Sequence, residues 1–348
     1  MPRFGAHLSI AGGVDEAARR ARRLRADTLQ LFVKSPSQWR FAALPDDPVA
    51  RFRAEARKAN LRPLVGHASY LLNLASPDPA LAEKSRRCAL EEWDRAERLG
   101  LDYFVLHPGA HMGSGEAAGL DRIARALQDL RRERPRQPVM ILLETTAGAG
   151  TVLGGRFEHL EQLIRTCDPD AGWHGHAPLR GRAEPRQGSM PSLAGHACPR
   201  KGGPPQNGGQ AVGMPPATRD ATTGAEKSTS KGHWLGVCID TCHLWAAGYD
   251  LRTPQAIDDT LGRLNDAVGL KRVKVVHAND ARGGLGLHLD RHAHIGRGHL
   301  RRETFRLLVH HPALAALPFI LETPKEDARG RPMDPVNLRT LRRLAGNP

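Results

Sequence analysis

A chain of 348 residues, 40% of them hydrophobic, can bury a full core and has room for one large barrel or two smaller domains. Its 51 Lys and Arg against 37 Asp and Glu leave a formal charge of +14, which points to a polyanionic partner, nucleic acid foremost. Five cysteines at no framework spacing (Cys88, Cys167, Cys198, Cys238, Cys242) argue against a disulfide scaffold and read as reduced packing thiols. No apolar run reaches membrane-spanning length, and a strand begins almost at the N-terminus, so we expect no leader and a cytoplasmic protein.

Eight apolar runs rich in β-branched residues punctuate the chain: Phe4–Leu8, Leu29–Val33, Pro63–Gly66, Tyr103–Leu106, Val139–Leu143, Leu235–Ile239, Val273–Val276 and Pro318–Leu321. Between them lie stretches with helical spacing of apolar residues, at Val14–Leu24, Pro79–Leu99, Ala117–Glu133, Arg156–Arg165, Pro254–Val268, Arg301–His310 and Pro335–Leu344. Strand and helix alternate throughout. That order predicts a parallel sheet covered by helices, and about eight repeats favour a closed (β/α)₈ TIM barrel with its chemistry at the C-terminal strand ends. The exception is a stretch from about 169 to 232, rich in Gly, Pro, Ser and Gln, which predicts a disordered insertion between the fifth helix and the sixth strand of a single domain. Its His174, His176, His196 and Cys198 form a weak accessory candidate for metal.

The runs end in residues that a core does not require. His67 and His107 close the third and fourth runs and Glu144 follows the fifth; adjacent parallel strands lie about 4.8 Å apart, so three such side chains can converge on one ion. Asp240, His277 and Glu322 end runs six, seven and eight and would face the first three across a barrel mouth, with Glu144 able to bridge two ions. His243, placed in the loop after the sixth strand, joins Asp290 and His292 as a third set, since period-two spacing in an extended loop turns Asp290 and His292 the same way. His7 and His111 are candidates for groups that orient ligands or DNA. The arginines 19, 20, 22 and 23 read as a solvated helix face. The glycines of Ala147–Gly155 predict a flexible active-site loop and match no phosphate-binding fingerprint.

The segments GVCIDTCHLWAAGYD, VHANDARGGLGLHLDRHAHIGRGHL, VLHPGAHMGS and HASYLLNL resemble the endonuclease IV family of apurinic/apyrimidinic endonucleases, over nearly all of the chain outside the insertion. The resemblance implies a TIM barrel holding three Zn²⁺ ions, with Mn²⁺ an alternative at some sites, and hydrolysis of the phosphodiester 5′ to an abasic site, with 3′ blocking groups as further substrates. It assigns His67, His107 and Glu144 to one ion, Glu144, Asp240, His277 and Glu322 to a second, and His243, Asp290 and His292 to a third. Glu144 is then the catalytic metal bridge that helps to activate water. The partner implied is duplex DNA with abasic sites, met by a monomer at the nucleoid and away from any membrane. DNA contact falls to the loop Lys34–Arg40, through Lys34, Gln38 and Trp39, and to Tyr70 and Leu71. Where the family usually carries an arginine in that loop, this chain has Ser37 beside Pro36. Two other readings stand: a divalent-metal sugar isomerase, for which Glu144, Asp240, His277 and Glu322 alone suffice, and a catalytically silent binder of damaged DNA.

Overall fold

The structure, a computed structural model, describes residues 2–40, 43–169 and 233–346. Residues 1–175 and 233–348 form one compact unit. A second, 176–232, lies outside the described residues, and with it the accessory candidates His174, His176, His196 and Cys198 and the order of the insertion.

Eight parallel strands close into a barrel: β1 (Arg3–His7), β2 (Thr28–Phe32), β3 (Leu64–His67), β4 (Tyr103–Leu106), β5 (Met140–Glu144), β6 (Leu235–Asp240), β7 (Val273–His277) and β8 (Pro318–Leu321). Neighbours in the barrel are neighbours in sequence, and β8 closes on β1 with Arg3 opposite Pro318. All eight expected runs are therefore barrel strands. The helices are α1 (Val14–Arg23), α2 (Asp46–Lys58), α3 (Pro79–Leu99), α4 (Glu116–Glu133), α5 (Phe157–Cys167), α6 (Thr241–Ala246), α7 (Pro254–Val268), α8 (Arg301–His310) and α9 (Asp334–Leu344). The start and stop of α3 are written locally: the Asp78 side chain accepts from Ala80 N at 2.9 Å, Pro79 takes the first turn, and Gly100 ends it at φ 72°. Two helices depart from expectation. α2 is absent from the predicted elements, because its buried stripe of Val49, Phe52 and Ala56 is thin among Arg51, Arg53, Arg57 and Lys58. α6 occupies the stretch after β6 that the sequence reading treats as loop, so His243 stands on a helix.

Most of the core lies between barrel and helices, with Trp93, Phe4, Phe52, Phe104 and Phe319 fully buried. Inside the barrel a separate layer holds Val65, Val105, Leu142, Cys238, Val275 and Ile320, one from each of β3 to β8. Successive strand residues alternate faces, so the next inward position on each strand is two residues on. Those positions are His67, His107, Glu144, Asp240, His277 and Glu322. An apolar plug thus changes, in one step along six strands, into a ring of imidazoles and carboxylates.

The loop after β5 is pinned, against the expectation of flexibility. Val152–Leu153 pairs antiparallel with Gly109–Ala110, Thr146 Oγ1 donates to Leu153 O at 3.0 Å, and Gly154, at φ 99°, would set a Cβ in a tight 3.1 Å contact with the Glu144 carbonyl oxygen. Where the insertion departs and returns, Asp168 accepts from the backbone N of Trp234 and Leu235 at 3.2 Å each and from Arg272 Nη1 at 2.8 Å. The end of α5 and the start of β6 are thus joined directly through Asp168. Among the described residues no helix is long and apolar enough to cross a membrane.

Candidate metal centre

At the C-terminal mouth of the barrel the expected residues meet in three sets whose ligand-type atoms lie within 4.8 Å of one another: His67, His107 and Glu144; Glu144, Asp240, His277 and Glu322; and His243, Asp290 and His292. Glu144 is fully buried and divides its two oxygens between the first two sets. Its Oε2 faces His67 Nε2 at 3.2 Å and His107 Nε2 at 3.0 Å, while its Oε1 faces His277 Nδ1 at 2.8 Å. His277 Nδ1 also stands 3.1 Å from Glu322 Oε2 and 3.9 Å from Asp240 Oδ2. In the third set Asp290 Oδ1 lies 3.2 Å from His243 Nε2 and 3.4 Å from His292 Nε2. The short antiparallel pair Asp280–Ala281 with His292–Ala293 brings that loop back over the mouth. A further combination, Asp240, Cys242 and His292, meets the same distances. Burial pushes the Cys242 thiol up to about 12, which disfavours the thiolate a metal needs.

Neighbouring groups choose which ring nitrogen each histidine presents. His67 Nδ1 donates to Ala68 O at 2.7 Å, His243 Nδ1 to Thr145 O at 2.8 Å and His292 Nδ1 to Glu322 O at 3.2 Å. Each bond fixes the tautomer, leaving Nε2 toward the carboxylates. His277 is turned the other way: its Nε2 donates to Gln30 Oε1 at 2.8 Å, leaving Nδ1 for the cluster. Gln30, buried on β2, also donates to Glu322 Oε1 at 2.6 Å. Asp240 uses Oδ1 to cap α6, accepting from Cys242 N at 2.7 Å and His243 N at 3.0 Å. Its Oδ2 is steadied by Asn279 Nδ2 at 2.6 Å. Gln30, Thr145 and Asn279 are supports that the sequence reading misses; only their place close to a ligand or one strand over from it marks them.

Burial opposes charge throughout this cluster, and the partners overcome it. Burial raises the Glu144 carboxyl, but His277, His107 and His243 outweigh it and hold the group well below the usual range. Glu322, beside His277 and His7, is likewise held low against burial. Burial pulls His67, His243 and His277 down; adjoining carboxylates lift the first two above the ordinary imidazole value, and Cys238, with Glu322 and Glu144, lifts His277. The donor set is what a divalent cation takes, neutral imidazole and carboxylate once the protons leave. Two further atoms fit that reading: His243 Nε2 and His292 Nε2 are buried and make no hydrogen bond, although each faces the Asp290 carboxylate.

The family model described as "Xylose isomerase-like TIM barrel" matches residues 18–173 and 226–344. A protein of Chloroflexus aggregans named "Probable endonuclease 4" is 40% identical over 99% of this chain and 98% of its own. The chain belongs to the endonuclease IV family. The crystal structure of endonuclease IV from Thermus thermophilus superposes with a TM-score of 0.71 at 32% identity, covering 99% of both chains. The 3-keto-D-glucoside 4-epimerase of E. coli, at 11% identity and a TM-score of 0.60 over 99% of this chain and 100% of its own, shares the fold alone.

At the candidate centre opens a cavity of about 670 Å³ lined by His7, Phe32, Tyr70 and six of the nine candidate ligands, and also by Arg282, Arg291 and Lys325. Nothing in the sequence singles out these three cations. Tyr70 is 73% exposed and its ring stands edge-on to Phe32 at 5.1 Å, so it is a rim residue and no part of the core. Leu71 and Trp39 are half-buried and Gln38 and Ser37 exposed or nearly so; Lys84 Nζ sits 4.3 Å over the Trp39 ring. Lys34 overturns its expectation as a phosphate contact. Its ammonium is buried, 3.3 Å from Glu92 Oε1, and it donates to the carbonyls of Ser35 and Gln38, holding the loop from beneath. Glu92 also accepts from Ser69 N at 2.9 Å and Ser69 Oγ at 2.8 Å. His7 lies beside Glu322 and Gln30, with burial pushing its pKa down to about 4. His111 contacts its own loop, accepting from Gly115 N at 3.2 Å, and is not in touch with the ligands.

Proposed function

We propose that this chain is a DNA-repair endonuclease that uses divalent metal, three Zn²⁺ by its ligand sets, to hydrolyse the phosphodiester 5′ to an abasic site. The observation that carries this is the third set, His243, Asp290 and His292, standing beside a Glu144 shared by the other two, in a chain whose relatives are named endonuclease 4. The mouth residues His67, His107, Glu144, Asp240, His243, His277, Asp290, His292 and Glu322 would hold the ions. When bound, these would lower the pKa of a water and draw charge from the phosphate. Glu144 and the neighbouring carboxylates, ionised despite burial, orient the attacking water and take up its proton. Water adds at phosphorus, the bond to the 3′ oxygen breaks, and that oxygen leaves as a 3′-hydroxyl opposite a 5′-deoxyribose phosphate. The same attack removes 3′ blocking groups. Tyr70, Leu71, Gln38 and Trp39 would enter the duplex, a role that the exposure of Tyr70 at the cavity supports, and an abasic nucleotide, unpaired already, is the least costly to turn out. The enzyme acts as a monomer, in the cytoplasm, on nucleoid DNA.

A sugar isomerase needs the second set alone and leaves the third without a purpose. The deciding experiment incubates the protein with a 5′-labelled duplex carrying one abasic site, with and without chelator, and maps the new end. We expect a 3′-hydroxyl, loss of nicking when the chelator removes the metal, and about three zinc ions per chain by metal analysis. Nicking that survives complete metal removal, or ketose–aldose turnover without nicking, would overturn the proposal.

A further inference from the structure

Beside the metal cavity lies a second one, of about 550 Å³, whose wall includes Arg282, His294, Arg297, His299 and Arg301. Arg282 lines both. The backbone here is rigid: buried Asp280 accepts from Gly296 N, Gly298 N and Leu300 N at 2.9 Å each, clamping the turn that leads into α8. A Cβ on Gly298 would stand 2.3 Å from Ala281 O, so the turn fits only as glycine. His299 stacks on Trp245 with ring centroids 6.4 Å apart. Asn337 donates to His294 Nδ1 at 3.2 Å, an amide orientation set by Ile295 N, which donates to its Oδ1 at 3.2 Å. His294 therefore carries its hydrogen on Nε2, as a neutral donor.

The cations on this rigid frame are unbalanced. Among the described residues, the side chains of Arg282, Arg297 and Arg301 make no hydrogen bond and no ion pair, whereas the nearby carboxylates Asp327 and Asp334 are taken by Arg331 and Lys325. Arg301 moreover holds φ at 65°, a conformation that costs any residue but glycine. All three arginines are exposed around one cavity, so their guanidiniums are open to a ligand, and Arg301 keeps its place there in strained backbone. A phosphate offers what the fold withholds, acceptor oxygens in the plane of each guanidinium.

We propose that this cavity is a second phosphate seat, which grips a backbone phosphate of the DNA away from the scissile one and so sets the register of the strand over the metal cavity. The seat rests on the nucleolytic reading of the neighbouring centre. Its occupant is a phosphate of the polymer, and free inorganic phosphate is the competing source.

The test measures binding of holoenzyme to the nicked product duplex, and nicking of the abasic duplex, across a salt series. Arg297→Ala with Arg301→Ala should weaken binding roughly tenfold near 0.1 M salt and make the slope of log K against log salt shallower by about one, with kcat at saturating DNA unchanged. Arg297→Lys should keep the slope. Arg301→Gly should bind more weakly yet melt about 2 °C higher, because the strain goes with the charge; a merely structural arginine would not part these two readouts. An unchanged slope in the double variant, with wild-type Tm, overturns the seat. So does inorganic phosphate at low millimolar concentration competing with DNA in the wild type and in the double variant alike. Wild-type protein that neither binds nor nicks the abasic duplex overturns the nucleolytic reading itself, and the seat with it.

Discussion

The ring of ligands and the rim of loops above it are both built on barrel strands, yet they obey different rules. In the ring, each functional side chain is the next inward position after an apolar plug residue, so strand periodicity alone aims six of them at one point. In the rim, side-chain direction depends on buried partners far away in sequence, as Lys34 shows by turning inward to Glu92. Side-chain placement is therefore set by the most regular part of the fold in the ring, and by the least regular in the rim.

This contrast can be broken at the ring first. Glu144→Gln keeps the shape but removes the charge shared by two ligand sets; we expect loss of at least one metal per chain and a fall in kcat/KM of about 10³-fold or more, read by metal analysis and nicking kinetics. Intact activity would mean the ring is structural. Gln30→Ala frees the His277 ring to rotate and should cost about 10- to 100-fold in metal affinity, seen by competition with a chromophoric chelator. At the rim, Tyr70→Ala should raise KM for the abasic duplex about tenfold, as lost stacking implies, while metal content stays at the wild-type level.

Titration sharpens the same contrast. His67, His243 and His277 have raised pKa values in the fold, so their contribution to metal-free stability is complete below the ordinary 6.5 and is lost as pH rises through the raised values. Glu144 and Glu322 are lowered, so theirs is complete above the ordinary 4.5 and is lost as pH falls. Chelated protein should then melt highest between these values and lose Tm on the alkaline side, where the metal-loaded protein gains, because metal binding needs the protons gone. Parallel pH profiles for both forms would refute this assignment of charge. The smallest effect belongs to the insertion: deleting residues 170–231 should leave metal content and nicking unchanged, since Asp168 already ties Trp234 and Leu235 in place.

Most of the barrel and the six candidate ligands of its ring could be read from the chain because two regularities coincide there, short apolar runs and a polar residue at each run's inward end. Other features left no such mark. The stripe of α2 is only three residues wide, and Glu92 differs in no visible way from Glu91 beside it, although one is buried among partners and the other is not. Arg282, Arg297 and Arg301 look like three more cations in a basic chain until a turn clamped by Asp280 sets them around one cavity. Periodic placement is local information; a partner across the fold is not.

The Glu92 carboxylate carries a further consequence. It receives Lys34 from the loop after β2 and Ser69 from the loop after β3, so two segments distant in sequence share one anchor. If either shifts alone, the buried Glu92 carboxylate loses its ion pair or two hydrogen bonds, which makes them a single jaw. Its joint lies out of reach of dissolved ions. Salt can thus loosen the hold on DNA while leaving the shape of the grip untouched, and substitutions in the two loops should fail to add.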